Sequence, residues 1–281
     1  MSERFQYSRE GYLNENFRYF HLRDTAGQER DFHFHEFDKI VILISGSVDY
    51  MVEGTSYRLR PWDVLLVRHH MIHKAVIDVT EPYERIIIYI DSAYVDRFAP
   101  NGGLMECFAS AEKRRFCLLR PEGNDINELK LSLDRLEETV DDTAFGADLM
   151  RGTALTQLMV RINRIMQNEE SNTAGMIEYN EKIAEVLSYI NENLTSPLTV
   201  DELAAKSYLS RYHFMRLFKS QTGCTVHNYI RQKRLILAAR LIRDGMSAAA
   251  AAAECGFSDY SAFHRAFSAT YGVSPGKMKN S

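Results

Sequence analysis

At 281 residues, with 45% hydrophobic and 26% charged residues, the chain has room for about two globular domains, each burying its own core. No run reaches the ~18 apolar residues of a helical membrane span, and the opening MSERFQYSREGY lacks the apolar centre of a secretory signal. A cytoplasmic protein with no membrane partner is therefore expected. Cys107, Cys117, Cys224 and Cys255 are scattered without a C-x-x-C pair, which favours reduced thiols over a disulfide frame or a cysteine-bound zinc. The net charge of −4 hides an asymmetry: residues 171–281 carry 13 Lys/Arg against 9 Asp/Glu, whereas residues 1–170 carry 21 against 29. A basic end beside an acidic one fits nucleic-acid contact by one end only.

Residues 29–92 predict strands. Ile40–Ile44 is a continuous apolar run ending at Ser45-Gly46, Val48, Tyr50 and Val52 alternate with polar neighbours, and Glu53-Gly54 signals a turn. Val64–Val67 and Ile86–Ile90 follow. Short β-branched runs broken by Gly and Pro indicate an antiparallel barrel or sandwich. The pattern Gly27-x5-His33-x-His35-x3-Lys39-x6-Gly46, with His73 further on, resembles the first and second motifs of the cupins. Three imidazoles at this spacing are a candidate open metal site. Lys39, however, stands where a metal cupin has a glutamate ligand, and an ammonium repels a divalent cation; Arg68 and His70 also replace the usual Pro and Gly. No metal and no cofactor is expected. The resemblance implies instead an effector pocket, with His33, His35, Lys39, Trp62 and His73 as candidate lining residues. The imidazoles and the ammonium would bind hydroxyls or a carboxylate, and the indole would either stack on a sugar ring or fill a core.

From 124 to 168 the period turns helical. Ile126, Leu129, Leu133, Leu136 and Val140 fall at spacings of 3, 4, 3 and 4, a two-heptad seam, and a second stripe runs through Leu155, Leu158, Met159, Ile162, Ile165 and Met166. Two readings stand: a homodimer interface through 124–168, or helices packed on their own barrel. The polar stretch at 169–176 reads as a linker.

Residues 198–281 contain an internal repeat at an offset of 49. Ala204 matches Ala253, Phe214 Phe263, Arg216 Arg265, Phe218 Phe267, Gly223 Gly272, and Thr225 Ser274. Phenylalanines four apart share one helix face. Thr199 with Glu202 predicts a capping box, Ser210 and Asp259 equivalent N-caps, and Ser274-Pro275 a cap followed by a first-turn proline. The predicted pairs are 200–206 with 210–221, and 248–254 with 259–271, joined by a helix over 225–243. This is a helix-turn-helix built twice.

The stretch AAAECGFSDYSAFHRAF (251–267) with GVSP (272–275), together with LAAKSYLSRYHFMRLFK (203–219), resembles the paired signature of the AraC family over 177–281. Ala251 stands where the family usually has Ile, Ser268 replaces a common Lys, and Met278-Lys279 replaces the usual closing Tyr-Arg. The fold implied is α+β. A cupin-like antiparallel barrel with a helical dimerisation and linker region (1–168) precedes an all-α domain of two helix-turn-helix units (177–281).

The function implied is that of a sequence-specific transcription regulator, an activator answering a small metabolite such as a sugar. Its partners would be promoter DNA, the effector and RNA polymerase. The alternative is a metal-dependent cupin-type enzyme with an accessory helical domain; with no phosphate loop and no nucleophile–base pair at readable spacing, no enzyme activity is expected. In the first reading helix the candidate DNA contacts are Arg211, Tyr212, Met215, Arg216 and Lys219. In the second they are Tyr260, Ser261, His264 and Arg265. An arginine suits bidentate contact to guanine, Tyr212 or Met215 a thymine methyl, and Lys219 a phosphate. The alternative for each is a solvated polar face. Leu203, Phe214, Phe218, Phe263 and Phe267 are assigned to cores.

Overall fold

The structure is a computed structural model that describes residues 8–9, 13–24, 31–99, 103–114, 116–168 and 181–278. The expected linker at 169–176 lies outside them.

Among the described residues ten strands form two five-stranded sheets: β1 (Ser8–Arg9), β2 (Phe17–Asp24), β3 (His33–Phe34), β4 (Asp38–Ser45), β5 (Val48–Val52), β6 (Thr55–Arg58), β7 (Val64–Val67), β8 (His73–Ile77), β9 (Tyr83–Ile90) and β10 (Leu118–Leu119). One sheet runs β1-β3-β8-β5-β6 and the other β10-β7-β4-β9-β2, with every pairing antiparallel except β1 with β3. The continuous apolar run of β4 has a physical cause. Val41 and Leu43 point between the sheets, against Val48, Tyr50, Val52 and Leu65. Ile40 and Ile42 point the other way, with Ile86, Ile88 and Ile90, into a layer of helices. A sheet covered on both faces has no polar side to alternate with.

That covering layer is α1 (Ser92–Asp96), α2 (Glu106–Arg114), α3 (Asn124–Glu137) and α4 (Ala147–Asn168). Leu129, Leu133 and Leu136 of α3 and Leu155, Leu158, Met159, Ile162, Ile165 and Met166 of α4 are buried against the barrel. The seam read as a candidate homodimer interface is therefore filled within one chain. The sheet's outer face needed cover, and these stripes supply it. Among the described residues no helix is long and apolar enough to cross a membrane.

The C-terminal part is helical: α5 (Glu181–Glu192), α6 (Val200–Lys206), α7 (Arg211–Thr222), α8 (Val226–Arg243), α9 (Ala248–Glu254), α10 (Tyr260–Tyr271) and α11 (Pro275–Met278). Three of the starts are capped as the sequence predicts. Thr199 and Glu202 form a reciprocal capping box, Ser210 accepts from His213 N–H, and Asp259 accepts from Ser261 N–H. Gly223 and Gly272 end α7 and α10 in the left-handed region, at φ 75° and 71°, where a Cβ costs most.

The repeat needs one correction. α7 and α10 superpose at an offset of 49, but the shorter helices do so at 48. The turn hydrogen bonds Leu209 N–H to Ala204 O and Phe257 N–H to Ala252 O are equivalent, as are Thr199 and Ser247 as caps. Ala204 thus corresponds to buried Ala252, whereas Ala253 is exposed. The second turn holds one extra residue, which a fixed offset cannot follow.

Candidate nucleic-acid interface and effector cavity

Two hydrophobic cores orient the reading helices. Phe214 and Phe218 sink into a core with Leu203, Tyr229 and Ile230; Phe263 and Phe267 sink into another with Ala251, Ala252, Leu235 and Ile242. All four phenylalanines are fully buried, so the opposite faces of α7 and α10 turn outward. On α7 that face carries Arg211, Tyr212, Met215, Arg216 and Lys219, and on α10 Tyr260, Ser261, His264 and Arg265; all nine are exposed. Tyr212 is 73% accessible, a large aromatic surface left outside without a core to fill. Arg211 pairs with Asp201 at 2.7 Å, so its guanidinium is directed from α6. The helix α8 feeds both cores; its 18 residues span ~27 Å at 1.5 Å each, a spacer close to one turn of DNA.

The barrel encloses a cavity of about 490 Å³ whose lining includes His33, Lys39, Tyr50, Tyr83, Arg85 and Tyr89. His35 and His73 stand against His33, with ring centroids 4.4–5.0 Å apart. One nitrogen from each of the three lies within 4.8 Å of the others. The Nδ1 atoms of His33 and His73 donate to the carbonyls of Asp31 and Met71 at 2.8 and 2.9 Å. For His73 that fixes the tautomer and leaves Nε2 with a lone pair. Burial, with Lys39 beside it, holds the His73 imidazole well below its ordinary pKa and so neutral.

The three imidazoles alone are a metal donor set. The buried ammonium of Lys39 lines the same cavity, a positive charge that opposes a divalent cation at the cluster. Trp62 is not brought to the cavity. It sits in a left-handed turn at φ 74° and packs against the helical layer, with Lys130 Nζ 4.3 Å from its ring. It fills a core, the bland alternative for an indole.

Residues 18–159 match the model of an AraC-like ligand binding domain, and residues 203–281 that of a helix-turn-helix domain. The chain belongs to the AraC family. It is an AraC-family DNA-binding transcription regulator. It is 25% identical to the probable transcriptional regulator LumQ of Photobacterium leiognathi, over 90% of this chain and 93% of that one. It is 26% identical to the transcriptional activator RhaR of Pectobacterium atrosepticum, over 86% and 84%. Among solved structures, ToxT of Vibrio cholerae O395 aligns over 94% of this chain and 97% of that chain, at 14% identity and a TM-score of 0.36.

Against the AraC-family pattern, the departures have structural places. Ala251 is fully buried in the second core, and Met278 joins it as an apolar plug. Ser268 leaves its hydroxyl without a hydrogen-bond partner.

Sequence reasoning missed the residues that join the parts. Glu53 sits at φ 46° in the two-residue β5–β6 hairpin. Its carboxylate accepts from Ile72 N–H at 2.7 Å, from Lys233 Nζ at 2.5 Å and from the Tyr229 hydroxyl. Lys233 also donates to His70 O, and Arg243 pairs with Glu36 at 2.5 Å. Arg234 donates to the carbonyls of Leu194, Ser196 and Gly256, tying the approach to α6 to the second unit's turn. One signal was readable: Asn or Gly is expected at the first position of such a hairpin, and a glutamate there marks a position held by its surroundings.

Proposed function

We propose that this regulator is a metabolite-responsive activator of the cytoplasm. Residues 1–168 sense the effector, 169–176 link, and 177–281 read promoter DNA. The observation that carries the reading is the pair of exposed faces on α7 and α10, in which Arg211, Tyr212, Met215 and Arg216 align with Tyr260, Ser261, His264 and Arg265 at an offset of 49, on either side of α8. Arg216 and Arg265 occupy equivalent exposed positions and are assigned to bases in adjacent major-groove segments. Arg211, Tyr212, Met215 and Lys219, with Tyr260, Ser261 and His264, complete the two contacts. The effector enters the cavity beside His33, Lys39 and His73. RNA polymerase is the downstream partner. Two copies pair through the 124–168 region, where Leu131, Phe145, Leu149 and Met150 remain exposed after the seam itself is filled; sedimentation equilibrium with and without DNA checks this.

The test of the reading is selection of bound sites from random duplex DNA by wild type, Arg216→Ala and Arg265→Ala. Wild type is expected to enrich two submotifs about one helical turn apart. Each variant is expected to relax a different submotif and to lose ~1–3 kcal/mol on the wild-type site. Absence of any enriched motif, or relaxation of the same submotif by both variants, defeats the two-reader reading.

A further inference from the structure

The geometry points to Arg234 as the residue that sets the spacing at which the two units read DNA: its guanidinium is a strut that fixes the second reading helix relative to the first. The proposal rests on the two-reader reading above and goes beyond it, from which bases are touched to how far apart they must lie.

Two reading helices on one chain recognise a paired site when their separation and phase match those of the duplex. One added base pair moves a submotif by about 3.4 Å and turns it by about 35° around the axis. The separation comes from α8, which gives Val226, Tyr229 and Ile230 to the first core and Ala238, Ala239 and Ile242 to the second. A helix fixes the rise per residue, but long helices bend, and a bend at mid-length is carried out to α10. Arg234 stands at that mid-length. Its Nε donates to Leu194 O and its Nη2 to Ser196 O, both at 2.8 Å and both in the segment that enters α6. Its Nη1 donates to Gly256 O at 3.0 Å, in the turn that enters α10. A guanidinium holds its N–H groups in one rigid plane, so a single group keeps the entrances of both units in register.

The second unit is shaped for this contact. A Cβ on Gly256 would lie 2.9 Å from the Arg234 Cζ and 3.0 Å from its Nη2. The approach of the side chain therefore calls for a glycine, as does the φ of 74°. The matching position in the first unit carries Tyr208, at φ 53° and 90% exposed, so the turn by itself admits a side chain. Backbone is left bare where the arginine crosses. The three acceptors are neutral carbonyls, which makes the strut a matter of shape: a lysine keeps the charge but lacks the planar fork that meets all three.

The experiment compares full-length wild type, Arg234→Lys, Arg234→Met, Gly256→Ala and Glu36→Gln, each checked by circular dichroism. Sites are selected from a random duplex library. The wild-type consensus is then remade with its spacer one base pair longer or shorter and titrated by fluorescence anisotropy. Wild type is expected to lose about tenfold or more on either altered spacer, the effect of a misread base pair. Arg234→Lys and Gly256→Ala are expected to lose less than about threefold there, below the cost of one misread pair, while each submotif keeps its base preferences. Selection by Arg234→Lys should return both submotifs at mixed spacings. Glu36→Gln weakens the barrel's own pair with Arg243 and is expected to keep the wild-type spacing. Undiminished spacing discrimination in Arg234→Lys overturns the proposal and leaves the spacing to α8. Loss of the second submotif at every spacing overturns it in favour of a role in folding that unit alone. A uniform loss in Arg234→Met that is absent from Arg234→Lys overturns it by assigning the residue to a phosphate. Spacing loosened as much by Glu36→Gln as by Arg234→Lys overturns it in favour of the barrel. A wild type that tolerates both altered spacers defeats the proposal while the two-reader reading stands; a wild type that enriches no paired motif removes both.

Discussion

The two helix-turn-helix units present the same outward face on different foundations. The first is built into the rest of the molecule: its core takes in Phe34 and Ile72 from the barrel and Ile183, Leu187 and Ile190 from α5, and the ring of Phe32 lies against Gly223 at the end of α7. Among the described residues the second core draws on the segment from α8 onward and rests on alanines where the first has Leu203 and Ala204. Phe34 and Ile72 each sit next in sequence to a cavity histidine, His33 and His73. On β3 and at the start of β8, alternate residues therefore face the effector side and the DNA-reading side. What repeats is the reading surface; what differs is the join to the barrel, a shared apolar core for the first unit, and for the second α10 lying beside β1 with the Arg243–Glu36 pair. The first unit is the one placed to feel a change in the cavity.

That asymmetry can be broken in order of expected effect. Phe214→Ala and Phe263→Ala each remove a fully buried ring and should cost ~3–5 kcal/mol. By differential scanning calorimetry, Phe263→Ala should lower a transition that leaves the barrel intact, whereas Phe214→Ala should also lower the barrel's own transition. Equal effects on the barrel would erase the distinction. Next comes Glu53→Gln, which weakens the charged hydrogen bonds to Lys233 and Tyr229 and should cost ~1.5–3 kcal/mol. The loss should be smaller when Lys233→Met is already present, and urea unfolding of the four proteins in that cycle measures it.

His70 lies at the same junction, and burial followed by the charges of His69, Lys233, Arg243 and Arg240 pushes its pKa down to about 3. Its folded value is below the ordinary ~6.5, so its contribution to stability is complete above pH ~6.5 and drains as pH falls toward 3. At pH 5 the loss should approach ~2 kcal/mol. His70→Asn, which keeps a residue tolerant of the φ of 66° found here, should flatten the pH 7 to pH 5 slope of melting temperature; an unchanged slope assigns the acid sensitivity elsewhere.

What was legible in the sequence follows from distance along the chain. Caps at Thr199, Ser210 and Asp259 and the Phe pairs of α7 and α10 are written within a few residues, and the structure has them there. The α3 and α4 stripes were readable as apolar, but their partner was not, because a stripe does not say which surface covers it. The choice for Trp62 between stacking and filling a core stayed open for the same reason: an aromatic near a pocket motif carries no mark of the left-handed turn that packs it against the helical layer. The Glu53–Tyr229 contact joins residues 176 positions apart, beyond any periodicity. The one-residue difference between the two turns was hidden by the run Ala248–Ala253, where every alignment scores alike.

That turn supplies the smallest and sharpest test of the comparison. Tyr208 and Gly256 occupy equivalent positions after α6 and α9, at φ 53° and 74°. Tyr208 is 90% exposed, so its side chain returns little packing for a left-handed backbone that costs a non-glycine residue ~1–2 kcal/mol. Tyr208→Gly relieves that strain but adds freedom to the unfolded chain worth roughly 0.5–1 kcal/mol, leaving a net gain below ~1 kcal/mol. Gly256→Ala runs the other way. It imposes the strain and drives a Cβ to 2.9 Å from the Arg234 guanidinium, the group that ties this turn to Leu194 and Ser196. A loss of ~1–2 kcal/mol is expected, and prior Arg234→Ala should reduce it. Opposite signs for the two substitutions in chemical denaturation would show one turn solved twice, with a glycine only where Arg234 comes close. Equal signs would mean that the turns, unlike the helices they join, are not equivalent.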